Sequence, residues 1–268
     1  MLMKDDLLVA FDPARLAVAL GLQPDPWQAE LLRGTARQAL LLTCRQAGKS
    51  TIAAIMALHR ALYFPGSVVL LLSPSLRQSG ELFRKVVGFA AKLGDAAAPI
   101  SAESALRLEL KNGSRIVALP GSETTVRGYS NVALLVVDEA SRVEDALYFS
   151  IRPMLAVSGG RLVALTTPWG RRGFFFNEWT AEDGASARVK VSATECPRIA
   201  ADFLEHERAT MPARWFRQEY ETSFEDLDDA AFGADLVAGL VDPDVKPLFG
   251  TEAEDTHLAD VLPIGGSR

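Results

Sequence analysis

Apolar and polar positions along this chain alternate in blocks. Ala39 to Thr43, Val68 to Ser73, Val132 to Val137 and Arg161 to Leu165 are short, almost continuous apolar runs, and Ala187 to Ser192 is a weaker fifth. Runs of this length, bounded by Pro, Gly or charged residues, read as strands buried on both faces. The segments between them have helical spacing: Leu7 to Leu20 with a stop at Gly21, Trp27 to Arg33 after Pro24 and Pro26, Ser50 to Tyr63 before Pro65-Gly66, and Leu76 to Leu93. Phe203 to Tyr220 is helical with a break at Pro212. Leu106 to Leu110 and Arg115 to Leu119 alternate apolar with polar instead. Lys111-Asn112-Gly113-Ser114 lies between them, and Asn-Gly is the strongest short hairpin signal. The pattern predicts an α/β fold: a mostly parallel sheet with helices on both faces and an inserted hairpin. After Asp242 the chain turns polar and acidic, contains Pro and Gly, and is expected to fray. No internal repeat is present.

Composition narrows this only a little. With 268 residues, 49% apolar and 23% charged, the chain is long enough to bury a core as one large or two small domains. No apolar run reaches the roughly 20 residues of a membrane span, and Met1 to Asp6 lacks a signal-peptide core. Two cysteines, Cys44 and Cys196, form neither a disulfide framework nor a zinc pattern, which suits a reducing cytoplasm. The net charge of −6 hides an asymmetry: from Glu221 onward there are 12 acidic and 2 basic residues, and the body before them is mildly basic. His59, His206 and His257 show no metal spacing.

The apolar run ending at Thr43 leads into Cys44-Arg45-Gln46-Ala47-Gly48-Lys49-Ser50-Thr51 and then a helix. Strand, Gly-Lys-Ser/Thr loop and helix in that order form a phosphate-binding loop, with Thr43 standing where the pattern's first Gly is usual. Main-chain N–H groups and the helix N-terminus would face a polyphosphate, Lys49 would add positive charge, and Ser50 would offer its hydroxyl to Mg²⁺. Leu134-Leu135-Val136-Val137-Asp138-Glu139 supplies the complement. A buried strand delivers Asp138 to the edge where open α/β sheets bind ligands, so Asp138 would hold Mg²⁺ and Glu139 would activate a water. The bland alternative is that the two acids cap the next helix. A tandem acid pair suits hydrolysis better than transfer to an acceptor.

The order Trp27-Gln28, the loop, Asp138-Glu139 and Thr166-Thr167-Pro168 resembles the ATPase domain of the terminase large subunit, the DNA-packaging motor of tailed bacteriophages. The loop with Arg45-Gln46 before Gly48-Lys49 is similar to that family's variant Walker A. Arg127-Gly128 and Gln218-Glu219-Tyr220 with Phe224 are similar to further family features. The resemblance covers roughly residues 20 to 250.

It implies a P-loop NTPase of the class whose catalytic Glu adjoins the Walker B Asp. Residues 1–168 would form the core, 169–235 a lid subdomain with the last core strand, and 236–268 the acidic tail. ATP would be substrate and Mg²⁺ cofactor. Gln28 would pair with the adenine edge while Trp27 stacks or simply packs. Arg45 would reach the γ-phosphate or sit in a surface ion pair. Arg127 is similar to the arginine some family members offer to a neighbouring subunit's nucleotide, a role that falls to either Arg45 or Arg127, and Thr166 and Thr167 would couple hydrolysis to motion. Trp169 to Phe176, with Arg171 and Arg172, could touch DNA, although core packing of its aromatics is the favoured reading. Implied partners are double-stranded DNA, a portal protein, a small terminase subunit and further copies in a ring on the procapsid, in the host bacterial cytoplasm and without a membrane.

The family usually continues into a nuclease domain. Only 18 residues follow Gly250, and Asp242 and Asp244 have no strand to present them, so no nuclease activity is expected of this chain. Two further readings share the motifs: a helicase-like ATPase, which would need a second motor domain, and an inactive prophage remnant, which the intact Lys49, Asp138 and Glu139 argue against.

Overall fold

The computed structural model describes residues 3–119, 128–182 and 186–226. Arg127 and the acidic tail lie outside them. Three short helices come first: α1 (Met3–Phe11), α2 (Pro13–Ala19) and α3 (Pro26–Arg33). Strand β1 (Gln38–Thr43), helix α4 (Lys49–Tyr63), strand β2 (Val68–Leu72) and helix α5 (Leu76–Leu93) follow. Then come β3 (Ile100–Glu103), β4 (Arg107–Leu110), β5 (Arg115–Leu119) and β6 (Val132–Asp138). After α6 (Asp145–Ile151) and β7 (Arg161–Thr166), the described chain ends with α7 (Gly173–Thr180), β8 (Ala187–Val191), α8 (Ala201–Thr210) and α9 (Ala213–Glu219).

The eight strands form one sheet in the order β3-β4-β5-β2-β6-β7-β1-β8. All neighbours from β5 to β8 pair in parallel, and only β4 runs against its neighbours. The expected mixed sheet and hairpin are both present. Alternate residues of each central strand serve opposite faces, because strand side chains alternate. Leu41, Leu71, Val136 and Val163 point to the layer that holds α4 and α5. Leu42, Leu70, Val137 and Ala164 point to the layer that holds α6 and α7. With both faces covered, every second position must also be apolar, so these strands read as continuous runs. The weak strand β8 is the sheet edge, where only Val191 is buried.

Three details differ from the sequence reading or settle an alternative. The helix expected over Leu7 to Leu20 is two helices: Pro13 cannot continue α1, and Asp12 Oδ1 accepts the Ala14 N–H at 3.0 Å to start α2. Strand β3 was not expected, since Ile-Ser-Ala-Glu carries no buried alternation and is held by pairing with β4 alone. The aromatics of α7 are core: Phe174 and Phe175 are buried, and Phe174 stacks on Tyr148 with ring centres 3.7 Å apart.

Candidate active site

Strands β6, β7 and β1 are adjacent and parallel, so their C-terminal ends share one edge of the sheet. Everything the sequence singled out on those strands meets there. From Thr43 the chain enters the loop Cys44 to Gly48 and turns into α4 at Gly48, whose φ of +91° is a left-handed conformation natural to glycine. The first N–H groups of α4 have no intrahelical acceptor and carry the positive end of the helix dipole. Lys49, buried at the first helical position, donates from Nζ to Thr167 Oγ1 at 2.8 Å. Ser50 donates from Oγ to Asp138 Oδ2 at 2.9 Å. Thr166 accepts the Ser141 N–H at 3.2 Å and donates to the Thr167 carbonyl at 2.8 Å. Thr51, half-buried, completes the first turn with its N–H on the Gly48 carbonyl at 3.1 Å.

Glu139 follows Asp138 with φ of +51°, and its N–H bonds Asp138 Oδ1 at 3.0 Å. This backbone turn lets β6 present two consecutive acids, and the Glu139 side chain does not cap the short helix that follows. Burial, and after it the charge of Glu139, pushes the Asp138 carboxyl up to about 6, against the pull of Ser50 and Lys49. Asp138 and Ser50 together offer hard oxygen donors. A carboxylate whose charge is this poorly solvated, beside a hydroxyl already bonded to it, fits Mg²⁺, which takes one or two protein oxygens and fills its shell with water and phosphate.

A second set of contacts braces the loop. Gln28 donates from Nε2 to the Ala47 carbonyl at 3.0 Å and accepts the Asp25 N–H at Oε1 at 2.9 Å. One of its two amide donors and one acceptor lone pair are thus engaged by the loop and by the start of α3. A Cβ at Gly48 would stand 2.8 Å from Gln28 Nε2, so the brace also needs glycine there. Trp27 packs against the α4/α5 core layer with its indole nitrogen buried and unpartnered among the described residues.

Arg45 pairs with the buried carboxylate of Glu219, and its N–H bonds the Glu219 carbonyl at 3.3 Å. Of its two readings, the ion pair is the one seen. Gln46 is exposed with φ of +58°, and Ala47 is fully buried. Thr43 is buried with its hydroxyl unpartnered among the described residues. Cys44 lies with Sγ 3.7 Å from Cys196 Sγ, and that contact, with burial, holds its thiol above the ordinary range.

Arg198 was missed by sequence reasoning. Its Nη1 donates to Asp25 Oδ1 and its Nη2 to the Ala47 carbonyl, both at 2.8 Å. No local pattern marks it, because Ala47 lies 151 residues away in the chain.

Residues 40–235 match the family model for the terminase large subunit, T4likevirus-type, N-terminal. The chain belongs to that family. The terminase large subunit of Escherichia phage T5 is 26% identical over 196 residues, which is 70% of this chain and 44% of that protein. The terminase large subunit of Thermus phage G20c is 26% identical over 174 residues, 58% of this chain and 36% of that protein. This terminase chain thus spans less than half the length of the curated relatives it matches. The ATPase domain of the Thermus phage P74-26 large terminase superposes with a TM-score of 0.69 at 21% identity, covering 78% of this chain and 97% of that one. The large terminase of bacteriophage D6E in complex with ADP superposes at 0.61 with 13% identity, covering 75% of this chain and 54% of that one. The fold is that of a large terminase ATPase domain. Among the described residues no helix is long and apolar enough to cross a membrane.

Proposed function

We infer that this terminase chain hydrolyses ATP and uses the energy to drive double-stranded DNA into a procapsid. The observation that carries the reading is the convergence of Lys49, Ser50, Asp138, Glu139, Thr166 and Thr167 on one edge of three adjacent parallel strands, at the N-terminus of α4. The loop amides and Lys49 bind the phosphates. Ser50 and Asp138 would hold Mg²⁺, which would supply neutralisation of phosphate charge. Glu139, on its turned backbone, takes a proton from the water that attacks the γ-phosphate. Thr167, bonded to Lys49, and Thr166, bonded to Ser141, connect the phosphate site to the end of β7 and to the segment after Glu139. The lid of this reading is residues 169–235, which follow that strand end in the chain. The core of the motor is residues 1–168, and the acidic tail is 236–268.

The partners of this reading are a portal, a small terminase subunit and a ring of copies, with the transition-state charge supplied either by Arg45 or by a neighbouring copy's Arg127, all in the host bacterial cytoplasm. The deciding experiment measures ATP turnover of the purified chain with and without duplex DNA and portal. Stimulation is expected, and a flat zero rate under all conditions would sink the motor reading in favour of an inactive remnant. Glu139→Gln is expected to lower turnover by about 10²-fold or more while ATP still binds, because general-base catalysis contributes ~10²–10⁴.

A further inference from the structure

A second cavity, about 420 Å³, lies at the opposite edge of the sheet. Its wall includes Arg37, just before β1, Arg60 in the last turn of α4, and Arg161, the first residue of β7. His59, Met56 and Phe64 stand among them. Because β1, β6 and β7 are parallel, this edge is a full strand length from the phosphate loop, ~20 Å at ~3.3 Å per residue.

No carboxylate is among the described residues of the cavity wall. Arg33 also lines it, but Arg33 is neutralised by Asp12 at 2.8 Å. Arg37, Arg60 and Arg161 have no ion-pair partner among the described residues, and the Nε atoms of Arg60 and Arg161 are buried without any hydrogen bond. Arg60 lies over the Phe64 ring at 4.1 Å, and Arg161 makes one contact, from Nη2 to the Leu31 carbonyl at 3.3 Å. Burial pushes both guanidinium groups below their ordinary pKa. Two part-buried guanidinium groups without a counter-charge, with the exposed Arg37 beside them, are costly in the absence of an anion. A carboxylate brings one charge and two acceptor oxygens. A phosphate monoester brings nearly two charges and three oxygens, a DNA phosphodiester one charge and two free oxygens, and both match the planar guanidinium fork.

We propose that this arginine cavity is a phosphate-binding site separate from the ATP site, with Arg60 and Arg161 as its inner ligands and Arg37 at its mouth. Met56 and Phe64 give an organic body an apolar wall to rest on. The phosphate belongs either to a free phosphorylated molecule or to the DNA backbone.

The test uses inorganic pyrophosphate as probe on the full chain carrying Lys49→Ala, which removes the competing loop. Calorimetry is expected to show saturable binding of one pyrophosphate per chain. Adding Arg60→Gln or Arg161→Gln should weaken it about tenfold or more, the scale of a lost charge-assisted hydrogen-bond pair. Arg37→Gln should weaken it several-fold. No pyrophosphate binding by the Lys49→Ala chain, or arginine variants within twofold of it, would overturn the site. If an inner variant does not fold, Arg37→Gln and Arg37→Glu decide the matter, since Arg37 is exposed. Given arginine-dependent binding, a 20-base-pair duplex that displaces pyrophosphate identifies a backbone phosphate as ligand, and a duplex that does not identifies a free phosphorylated molecule.

Discussion

Arg198 holds three parts of the proposed nucleotide site with one guanidinium: the start of α3 through Asp25, the loop through Ala47, and the segment after β8 on which it sits. Asp25 is nearly buried, so removing Arg198 leaves a carboxylate without its counter-charge and a loop carbonyl without one of its two donors. Arg198 itself is 45% exposed, which keeps the contribution near 1 kcal/mol. Arg198→Ala should therefore raise the ATP Kd about five- to tenfold. Asp25→Asn should act in the same direction, and the double variant should be no weaker than the sum of the two; calorimetry on the four proteins checks this. His59 gives a pH dependence. Burial holds its imidazole below the ordinary 6.5, while Nε2 meets the Val9 carbonyl at 3.0 Å as a neutral donor. The folded chain keeps His59 neutral and the unfolded chain protonates it first. Stability from this group is therefore complete above pH 6.5 and is lost as pH falls below it. Urea unfolding at pH 5.5 and 7.5 should show the loss, and His59→Gln should flatten it. Lys49, Ser50, Asp138 and Glu139 were legible because each sits in a short string that also fixes its place at a strand end. Arg198 was not, and Glu219 was singled out without its link to Arg45, because what they hold lies more than 150 residues away and surface-like sequence does not announce it.

At the scale of elements, the apolar runs located every central strand because both sheet faces are covered, and the Asn-Gly signal located the hairpin. The structure shows why that hairpin is firm. Asn112 Nδ2 donates to the Ala61 and Leu62 carbonyls at the end of α4 at 2.8 and 3.0 Å, and its Oδ1 accepts the Ser114 N–H at 2.9 Å. One side chain thus satisfies two helix-end carbonyls and shapes the turn. Asn112→Ala should cost about 1–3 kcal/mol in chemical denaturation, the penalty of leaving partly buried acceptors unpaired, with ATP affinity unchanged. Gly160 is a stricter position. A Cβ there would lie 2.0 Å from the Val132 carbonyl, so Gly160→Ala forces the start of β7 away from β6, and a loss of at least 2 kcal/mol is expected on the same measurement. The breaks at Pro13 and the strand β3 were less legible for opposite reasons. A proline at a helix start leaves the apolar period running on, and an exposed strand paired on one side only has no period to leave.

At the scale of the molecule, a parallel sheet sends all its C-terminal strand ends to one edge, so the proposed hydrolytic groups gather there. Transition-state charge on a transferring phosphoryl group calls for an arginine as well as a metal. Both arginines beside the loop are engaged: Arg45 with Glu219, Arg198 with Asp25 and Ala47. Either Arg45 leaves Glu219 when ATP binds, or the charge comes from Arg127 of the next copy in a ring. The two routes separate by complementation. A chain carrying Arg127→Ala keeps its own Glu139, and a chain carrying Glu139→Gln keeps an Arg127 to lend. If the arginine acts across a subunit boundary, each variant alone should be slow, and an equimolar mixture should turn over ATP at least about tenfold faster than either, within the ~10³–10⁵ an inserted arginine supplies elsewhere. The wild-type rate per chain should also rise with protein concentration. A mixture no faster than the mean of its components, with a rate per chain independent of concentration, would assign the charge to Arg45 within one subunit.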